Sequence, residues 1–168
     1  MRLSTALLAL SALCAALPSS AQDEPPPRKV AITLSPLHLL NPELHMTGEL
    51  RLAPRLSTAA SLGAGRITEE RQTYRIWEVG GQLRVYLLGA FSQGLMLGAD
   101  LGYVDVNGQP EGAMEMLLGT RAGAFLGYKK TLKAGFTVEA QLGPVRVWGN
   151  ADDAEWQTLS RLNVGWSF

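Results

Sequence analysis

Trp156-Gln-Thr-Leu-Ser-Arg-Leu-Asn-Val-Gly-Trp-Ser-Phe168 is the stretch of sequence that decides the fold. In its second half, large apolar residues alternate with polar or small ones. The apolar set is Leu162, Val164, Trp166 and Phe168, and the other set is Arg161, Asn163, Gly165 and Ser167. Successive side chains of a β-strand point to opposite faces, so this alternation predicts a strand with one apolar and one polar face. The predicted strand runs to Phe168, which lies on the apolar face.

The same twofold alternation recurs along the chain and predicts eight strands in all. The segments are 29–35, 44–52, 56–65, 76–87, 95–103, 113–128, 136–148 and 156–168. Within 136–148 the alternation changes phase at Gly143-Pro144, which predicts a β-bulge at that point. The 18 glycines of the sequence and the lack of any apolar run of about 20 residues after the leader favour an all-β fold over membrane helices.

Short and long connections alternate between the predicted strands. Those near Pro54, Ser92 and Lys130 are short, whereas 36–43, 66–75, 105–112 and 149–155 are longer and richer in polar residues or proline. Short turns at one end and long loops at the other are typical of an antiparallel up-and-down β-barrel. The sequence therefore predicts eight antiparallel strands closed into one barrel over residues 29–168.

The first 28 residues have a different character. Met1-Arg2, an apolar run over 3–17 and small residues up to Ala21 predict a secretory signal peptide cleaved after residue 21. Cys14, the one cysteine of the sequence, is interpreted as an apolar residue of this signal, because Leu13 fits a lipoprotein cleavage site poorly. Residues 22–28 form a Pro-rich extended lead-in. The whole chain has 15 basic and 15 acidic residues, which gives no electrostatic reason to expect nucleic-acid binding.

The polar face of the predicted strands combines many small residues with charges of both signs. Small residues suit the crowded interior of a narrow barrel, and balanced charges let each buried group find a partner. This pattern predicts a lumenal polar network of Glu49, Arg51, Glu78, Arg84, Asp100, Glu115, Arg121, Glu139, Arg146 and Arg161. A soluble barrel of the lipocalin type, with the polar face outward, is the structural alternative.

Aromatic residues favour the membrane alternative, because they fall near the two ends of the predicted strands. Aromatic bands at both interfaces are a feature of transmembrane barrels. The predicted interface residues are Trp77, Tyr103, Trp148 and Trp156 at the long-loop end, and Tyr128, Phe136, Trp166 and Phe168 at the short-turn end. Phe91 also falls near a short turn and is counted in that second aromatic band. The fold predicted from the sequence is therefore an eight-stranded transmembrane β-barrel.

With its strand pattern and C-terminal Phe168, the chain resembles small eight-stranded outer-membrane barrels of the OmpA or OmpX type. Its segments Asn41-Pro42, Gly48-Glu49-Leu50-Arg51, Leu56-Ser57 and Gly63-Ala64-Gly65 also look like the opening hairpin of small barrel families without an assigned function. The resemblance implies Sec-type export to the outer membrane of a Gram-negative bacterium. It also implies contact with outer-membrane lipid and lipopolysaccharide, recognition of the last strand by the barrel-assembly machinery, and a monomeric state.

A structural or loop-mediated binding role is the functional expectation, since eight strands enclose a lumen only wide enough for side chains. A diffusion pore is not expected, and no catalytic residue, cofactor or metal ligand is predicted. Two alternatives remain open at this point. Ser35 and His45 both face inward near the long-loop end, which makes a lipid-modifying enzyme possible in principle. The other alternative is a soluble periplasmic carrier of the lipocalin type.

Overall fold

The chain forms a closed, all-β barrel in a computed structural model that describes residues 28–40, 43–69, 72–107, 119–149 and 154–168. Each strand pairs antiparallel with the next, and the last pairs back onto the first, which confirms the predicted eight-stranded up-and-down architecture. The strands are β1 (Val30–Leu34), β2 (Glu43–Ala53), β3 (Leu56–Glu69), β4 (Gln72–Ala90), β5 (Gln93–Asn107), β6 (Gly119–Thr131), β7 (Phe136–Trp148) and β8 (Ala154–Ser167). The predicted signal peptide and residues 22–27 of the lead-in lie outside the described residues.

A short 3-10 turn, His38–Leu40, follows β1 at the long-loop end of the barrel. We call it the rim turn. Within the described ranges, no helix is both long and apolar enough to cross a bilayer.

The prediction of a loop over residues 66–75 is wrong. Strands β3 and β4 pair without interruption from Leu56↔Val85 to Glu69↔Gln72, so this region is the end of a long hairpin. The charged residues suggested a loop, but the pairs Ile67↔Tyr74 and Thr68↔Thr73 consist of β-branched and aromatic residues. Such residues fit the pleated surface of a strand, and their preference decides the local structure here.

The predicted β-bulge at Gly143-Pro144 is also wrong. The register between β7 and β8 is continuous from Phe136↔Trp166 to Trp148↔Ala154. On its other edge, β7 pairs with β6, and this pairing is interrupted between Gly123↔Val145 and Leu126↔Leu142. The interruption leaves the same number of residues unpaired on each strand, so neither strand carries an extra residue. Because proline has no N–H to donate, Pro144 interrupts this ladder without inserting a residue.

Few register pairs close the barrel at the seam between β1 and β8, which runs from Ala31↔Ser167 to Leu34↔Val164. Backbone hydrogen bonds extend the seam by one step, because the Phe168 amide donates to the Val30 carbonyl at 2.8 Å and the Lys29 amide donates to the Phe168 carbonyl at 2.7 Å. The Arg28 guanidinium also donates to the carbonyls of Leu132 and Lys133, at 3.0 and 2.6 Å. The start of the barrel is thus tied to the turn between β6 and β7.

The barrel wall is apolar on the outside and polar on the inside. Large apolar side chains point outward from every strand, although Arg146 on β7 and Thr158 and Ser160 on β8 are also exposed. Among the exposed residues are Val30, Ile32, Leu34, Leu44, Met46, Leu50, Leu62, Val79, Leu83, Val85, Leu97, Leu101, Leu126 and Leu142. Most buried side chains are polar or charged. This is the reverse of a soluble domain, in which the core is apolar.

Candidate functional site

The lumen holds a balanced set of charges. Among the described residues, four carboxylates and four basic side chains take part in ion pairs inside the barrel. They are Glu49, Glu78, Asp100 and Glu139, with Arg84, Arg121, Lys129 and Arg161. Burial of a charge is tolerated when it is paired and hydrogen-bonded, and the equal numbers meet that requirement.

One layer of the network lies toward the short-turn end and is centred on Arg84. Its Nη1 atom lies 2.9 Å from Oε2 of Glu49 and 2.9 Å from Oε2 of Glu139. Lys129 donates to the same Glu49 oxygen at 2.7 Å, and the Tyr86 hydroxyl donates to the other one at 2.8 Å. The layer joins side chains from β2, β4, β6 and β7 across the lumen.

A second layer lies toward the long-loop end. Arg121 and Arg161 both donate to Oε1 of Glu78, and each also donates to one oxygen of Asp100, at 3.3 Å. Gly102 leaves room for this arrangement, since a Cβ at that position would lie only 3.0 Å from Nε of Arg121. The two arginines and two carboxylates therefore neutralise each other within this layer.

Gln82 connects the two layers. Its oxygen accepts hydrogen bonds from Nε and Nη2 of Arg84, at 2.9 and 2.6 Å. Its amide nitrogen lies 3.3 Å from Asp100 and 3.2 Å from the side-chain oxygen of Gln141. A single neutral amide thus bridges the charged groups above and below it.

Apolar side chains fill the space beside these layers. Phe125, Met96, Tyr86 and Phe91 are all buried inside the barrel. Phe125 lies directly against Gly98, where any added Cβ would overlap its ring. These apolar side chains therefore share the lumen with the ion-paired groups.

The structure places seven of the predicted network residues inside the barrel, where they form the ion pairs described above. They are Glu49, Glu78, Arg84, Asp100, Arg121, Glu139 and Arg161. Glu115 lies outside the described residues. Lys129 was missed because the preceding strand was predicted to end at residue 128. The sequence did contain a signal for Lys129, because it continues the set of alternate residues that face inward on β6: Arg121, Gly123, Phe125 and Gly127.

Two predicted network residues are not part of the network. Arg146 is exposed on the outer face, with its guanidinium 5.6 Å from the centre of the Trp148 ring. The reason is the continuous register of β7, which turns Val145 inward in its place. Arg51 lies at the end of β2, where the pairing with β3 becomes irregular, and its Nε donates to the Ala53 carbonyl at 3.4 Å. Its guanidinium therefore belongs to the turn.

All eight predicted interface aromatics lie on the outer face. Trp77, Tyr103, Trp148, Trp156, Trp166 and Phe168 are exposed, and Tyr128 and Phe136 are half-buried. Two of the indoles are hydrogen-bonded, Trp77 to the Asp105 carboxylate and Trp166 to the Ala134 carbonyl, each at 2.9 Å. Phe91, another aromatic near a short turn, instead packs inside the barrel beneath the Lys129 ammonium, 3.6 Å from its ring centre.

Histidine, serine and glutamate side chains meet at the long-loop end, beside the rim turn. His45 is only 1% exposed, and its Nε2 lies 3.1 Å from Oε1 of Glu78. The His38 ring stacks on His45 with 4.6 Å between ring centres. Ser35 does not bond to His45, as a Ser–His pair would require, but lies 2.8 Å from Nδ1 of His38. These contacts define a rim cluster of Ser35, His38, His45 and Glu78.

The geometry of Ser35 is poor for a nucleophile. Its side chain is buried, and its hydroxyl lies 3.0 Å from the Leu162 carbonyl as well as 2.8 Å from His38. A hydroxyl has one proton, so a donation to the carbonyl leaves Nδ1 of His38 as a donor and not as a base. Burial lowers the pKa of His38 to about 4, and the nearby His45 acts in the same direction. The imidazole is therefore neutral near pH 7.

Within the described ranges, no group of three or more histidine, cysteine, aspartate or glutamate side chains is arranged to hold a metal ion. The features that the structure offers for function are the ion-paired lumen, the rim cluster and the apolar outer wall. A scan against protein-family models and searches of curated proteins and of solved structures find no match to the chain.

Proposed function

We propose that the protein is an integral outer-membrane β-barrel of a Gram-negative bacterium, with a structural or loop-mediated binding role. The observation that carries this proposal is the sidedness of the wall. Apolar side chains surround the outside, while the charged residues of the network are buried inside. A closed barrel with this sidedness satisfies its backbone within the wall and presents apolar side chains to lipid, as a bilayer requires.

The aromatic residues support the same orientation. Trp77, Tyr103 and Trp148 lie on the outer face toward the long-loop end, and Trp166 and Phe168 lie toward the short-turn end. Aromatic rings prefer the two interfaces of a membrane. On this basis we place outer-membrane lipid and lipopolysaccharide around the wall, and the short turns in the periplasm.

The two ends have different roles in the proposal. The C-terminal strand, with Phe168 on its outer face, is proposed to be the segment read by the barrel-assembly machinery after Sec-type export. The connections at the other end are proposed to carry any binding role. The proposed location and assembly route also rest on the resemblance of the sequence to OmpA- and OmpX-type barrels.

Membrane fractionation of cells that produce the protein tests the location directly. We expect the protein in the outer-membrane fraction, with the heat-modifiable gel mobility that folded outer-membrane barrels show. Recovery of the wild-type protein from the soluble periplasmic fraction would contradict the membrane barrel and favour the soluble carrier.

A plugged lumen predicts very low ion conductance. Because side chains such as Arg84, Phe125 and Met96 are buried inside the barrel, we expect ions to lack a continuous aqueous path. We expect purified, refolded protein to give no steady, large conductance in a planar lipid bilayer. A stable open channel of large conductance would contradict the plug while leaving the membrane location intact.

No esterase or acyltransferase activity is expected from the rim cluster. Ser35 is buried and its hydroxyl is held between His38 and the Leu162 carbonyl, so it lacks a free base and an open path to substrate. The measurement is turnover of phospholipid or lipid A by refolded protein. Turnover that is lost in Ser35→Ala or His38→Gln would overturn this prediction and favour the lipid-modifying enzyme.

A further inference from the structure

The rim turn covers one side of the barrel mouth. His45 is the third residue of β2, close to the end of the strand, yet it is almost fully buried. The stacked ring of His38 contributes this cover, and Ser35 holds the ring in place through Nδ1. The backbone hydrogen bonds within the rim turn run from the His38 amide to the Ser35 carbonyl at 3.3 Å and from the Leu39 amide to the Pro36 carbonyl at 3.2 Å. The His38 imidazole, stacked on His45 and bonded to Ser35, links this turn to the barrel.

A positive charge on His38 is unfavourable in this position. The ring is half-buried and lies against a second imidazole, so protonation of His38 carries a desolvation cost. The groups that act on it are His45 from β2, Glu78 from β4, Arg121 from β6 and Arg161 from β8. One step further away, Glu43 from β2 lies near Glu78 and His45, and Asp100 from β5 pairs with the two arginines.

Among the groups that act directly on His38, Glu78 favours the charged imidazole, but Glu78 is already paired with two arginines. Arg121 and Arg161 both donate to it, and the same two arginines also neutralise Asp100. An added imidazolium would therefore leave a net positive charge in a layer that is balanced without it. Release of the rim turn into water removes this penalty.

We propose that the rim turn closes one side of the barrel mouth at neutral pH and is released when His38 is protonated. The direction follows from the pKa of His38, about 4 in the closed state and about 6.5 when the ring is solvated. Protons bind more tightly to the released state, so its share rises as the pH falls below 6.5, and the shift is complete below pH 4. The ratio of closed to released molecules should fall about 20-fold between pH 7 and pH 5. This proposal rests on contacts within the barrel and holds whether or not the barrel resides in a membrane.

Amide hydrogen exchange of the refolded wild-type protein, followed by NMR, tests the proposal. After correction for the intrinsic pH dependence of exchange, protection of the His38 and Leu39 amides should fall about 20-fold from pH 7 to pH 5. The Gly135 amide, which donates to the Leu132 carbonyl in a turn at the opposite end, should keep its protection. Equal protection of the rim amides at both pH values would overturn the proposal.

Two variants assign the effect to His38. His38→Gln keeps a hydrogen-bonding side chain without a titrating ring, so its rim protection should no longer depend on pH. Leu39→Gln changes an exposed neighbour in the same turn and should retain the wild-type response. A full pH response in His38→Gln would show that another group is the sensor and would overturn the proposal.

The titration of His38 itself provides a measurement that does not depend on how the variants fold. Its imidazole resonances in the wild-type protein should report a pKa below the ordinary value of about 6.5. A pKa at or above that value would overturn the proposal, because protonation would then stabilise the closed turn.

Discussion

Arg84→Met is expected to lower the free energy of unfolding by about 3–5 kcal/mol, because it leaves the buried carboxylate of Glu139 without its ion-pair partner. Arg84 is fully buried and lies 2.9 Å from both Glu49 and Glu139. After the change, Lys129 still pairs with Glu49, but Glu139 keeps only neutral partners, Gln141 and Asn163. Denaturant unfolding of the refolded barrel in detergent micelles, followed by tryptophan fluorescence, measures the effect.

Arg146→Met is the matched control, since the same substitution is made at an arginine on the outer face. It should change the free energy of unfolding by less than about 0.5 kcal/mol. The double variant Arg84→Met/Glu139→Gln restores charge balance and should recover part of the lost stability. Equal losses in Arg84→Met and Arg146→Met would contradict the lumenal ion-pair network.

Phe168→Asp is expected to abolish most of the protein's accumulation in the outer membrane while leaving the refolded barrel nearly as stable as the wild type. The Phe168 side chain is 65% exposed, and the hydrogen bonds at the seam use its backbone, which the substitution retains. The transfer cost of a charge near the interface is only about 0–1 kcal/mol. A large loss in cells would therefore reflect failed recognition of the last strand during assembly.

Two variants separate recognition from stability. Phe168→Tyr keeps an aromatic ring and should accumulate normally. Arg161→Ala leaves Phe168 in place but removes a partner of Glu78 and Asp100, so it should weaken the folded barrel instead. Membrane fractionation and heat-modifiable gel mobility distinguish the two defects. Normal outer-membrane amounts of Phe168→Asp would contradict the proposed role of the last strand in assembly.

Twofold alternation was sufficient to predict most of the strands. A shift of one residue in a strand would move all its apolar side chains to the opposite face, so the alternation is strongly constrained. It identified β7 with the bounds that the structure shows, Phe136–Trp148. It failed where composition gave a conflicting signal. The charges between Arg66 and Arg75 suggested a loop although the hairpin continues there, and Gly143-Pro144 suggested a bulge although the proline removes a hydrogen bond without adding a residue.

The lumenal network was predictable where a charged residue lay in the middle of a strand, as with Glu78 and Arg84. Two errors in the predicted strands limited the prediction of the network. The predicted change of phase in β7 put Arg146 inside, and the predicted end of the preceding strand at residue 128 left Lys129 out. The rim cluster depends on contacts between distant segments. Sequence shows that Ser35 and His45 share a face, but the position of His38 between them is set by the path of the chain after β1.

Several ion pairs of the lumen join strands that are not neighbours in the sheet, and this affects how the chain can fold. Glu49 on β2 meets Lys129 on β6, Arg84 on β4 meets Glu139 on β7, and Glu78 on β4 meets Arg161 on β8. Individual hairpins have low contact order and can form early, but none of them brings these charges together. An open, partly paired sheet would hold those charges without partners as it curls. Neutralisation and ring closure must then occur together, which favours a cooperative, all-or-none final step.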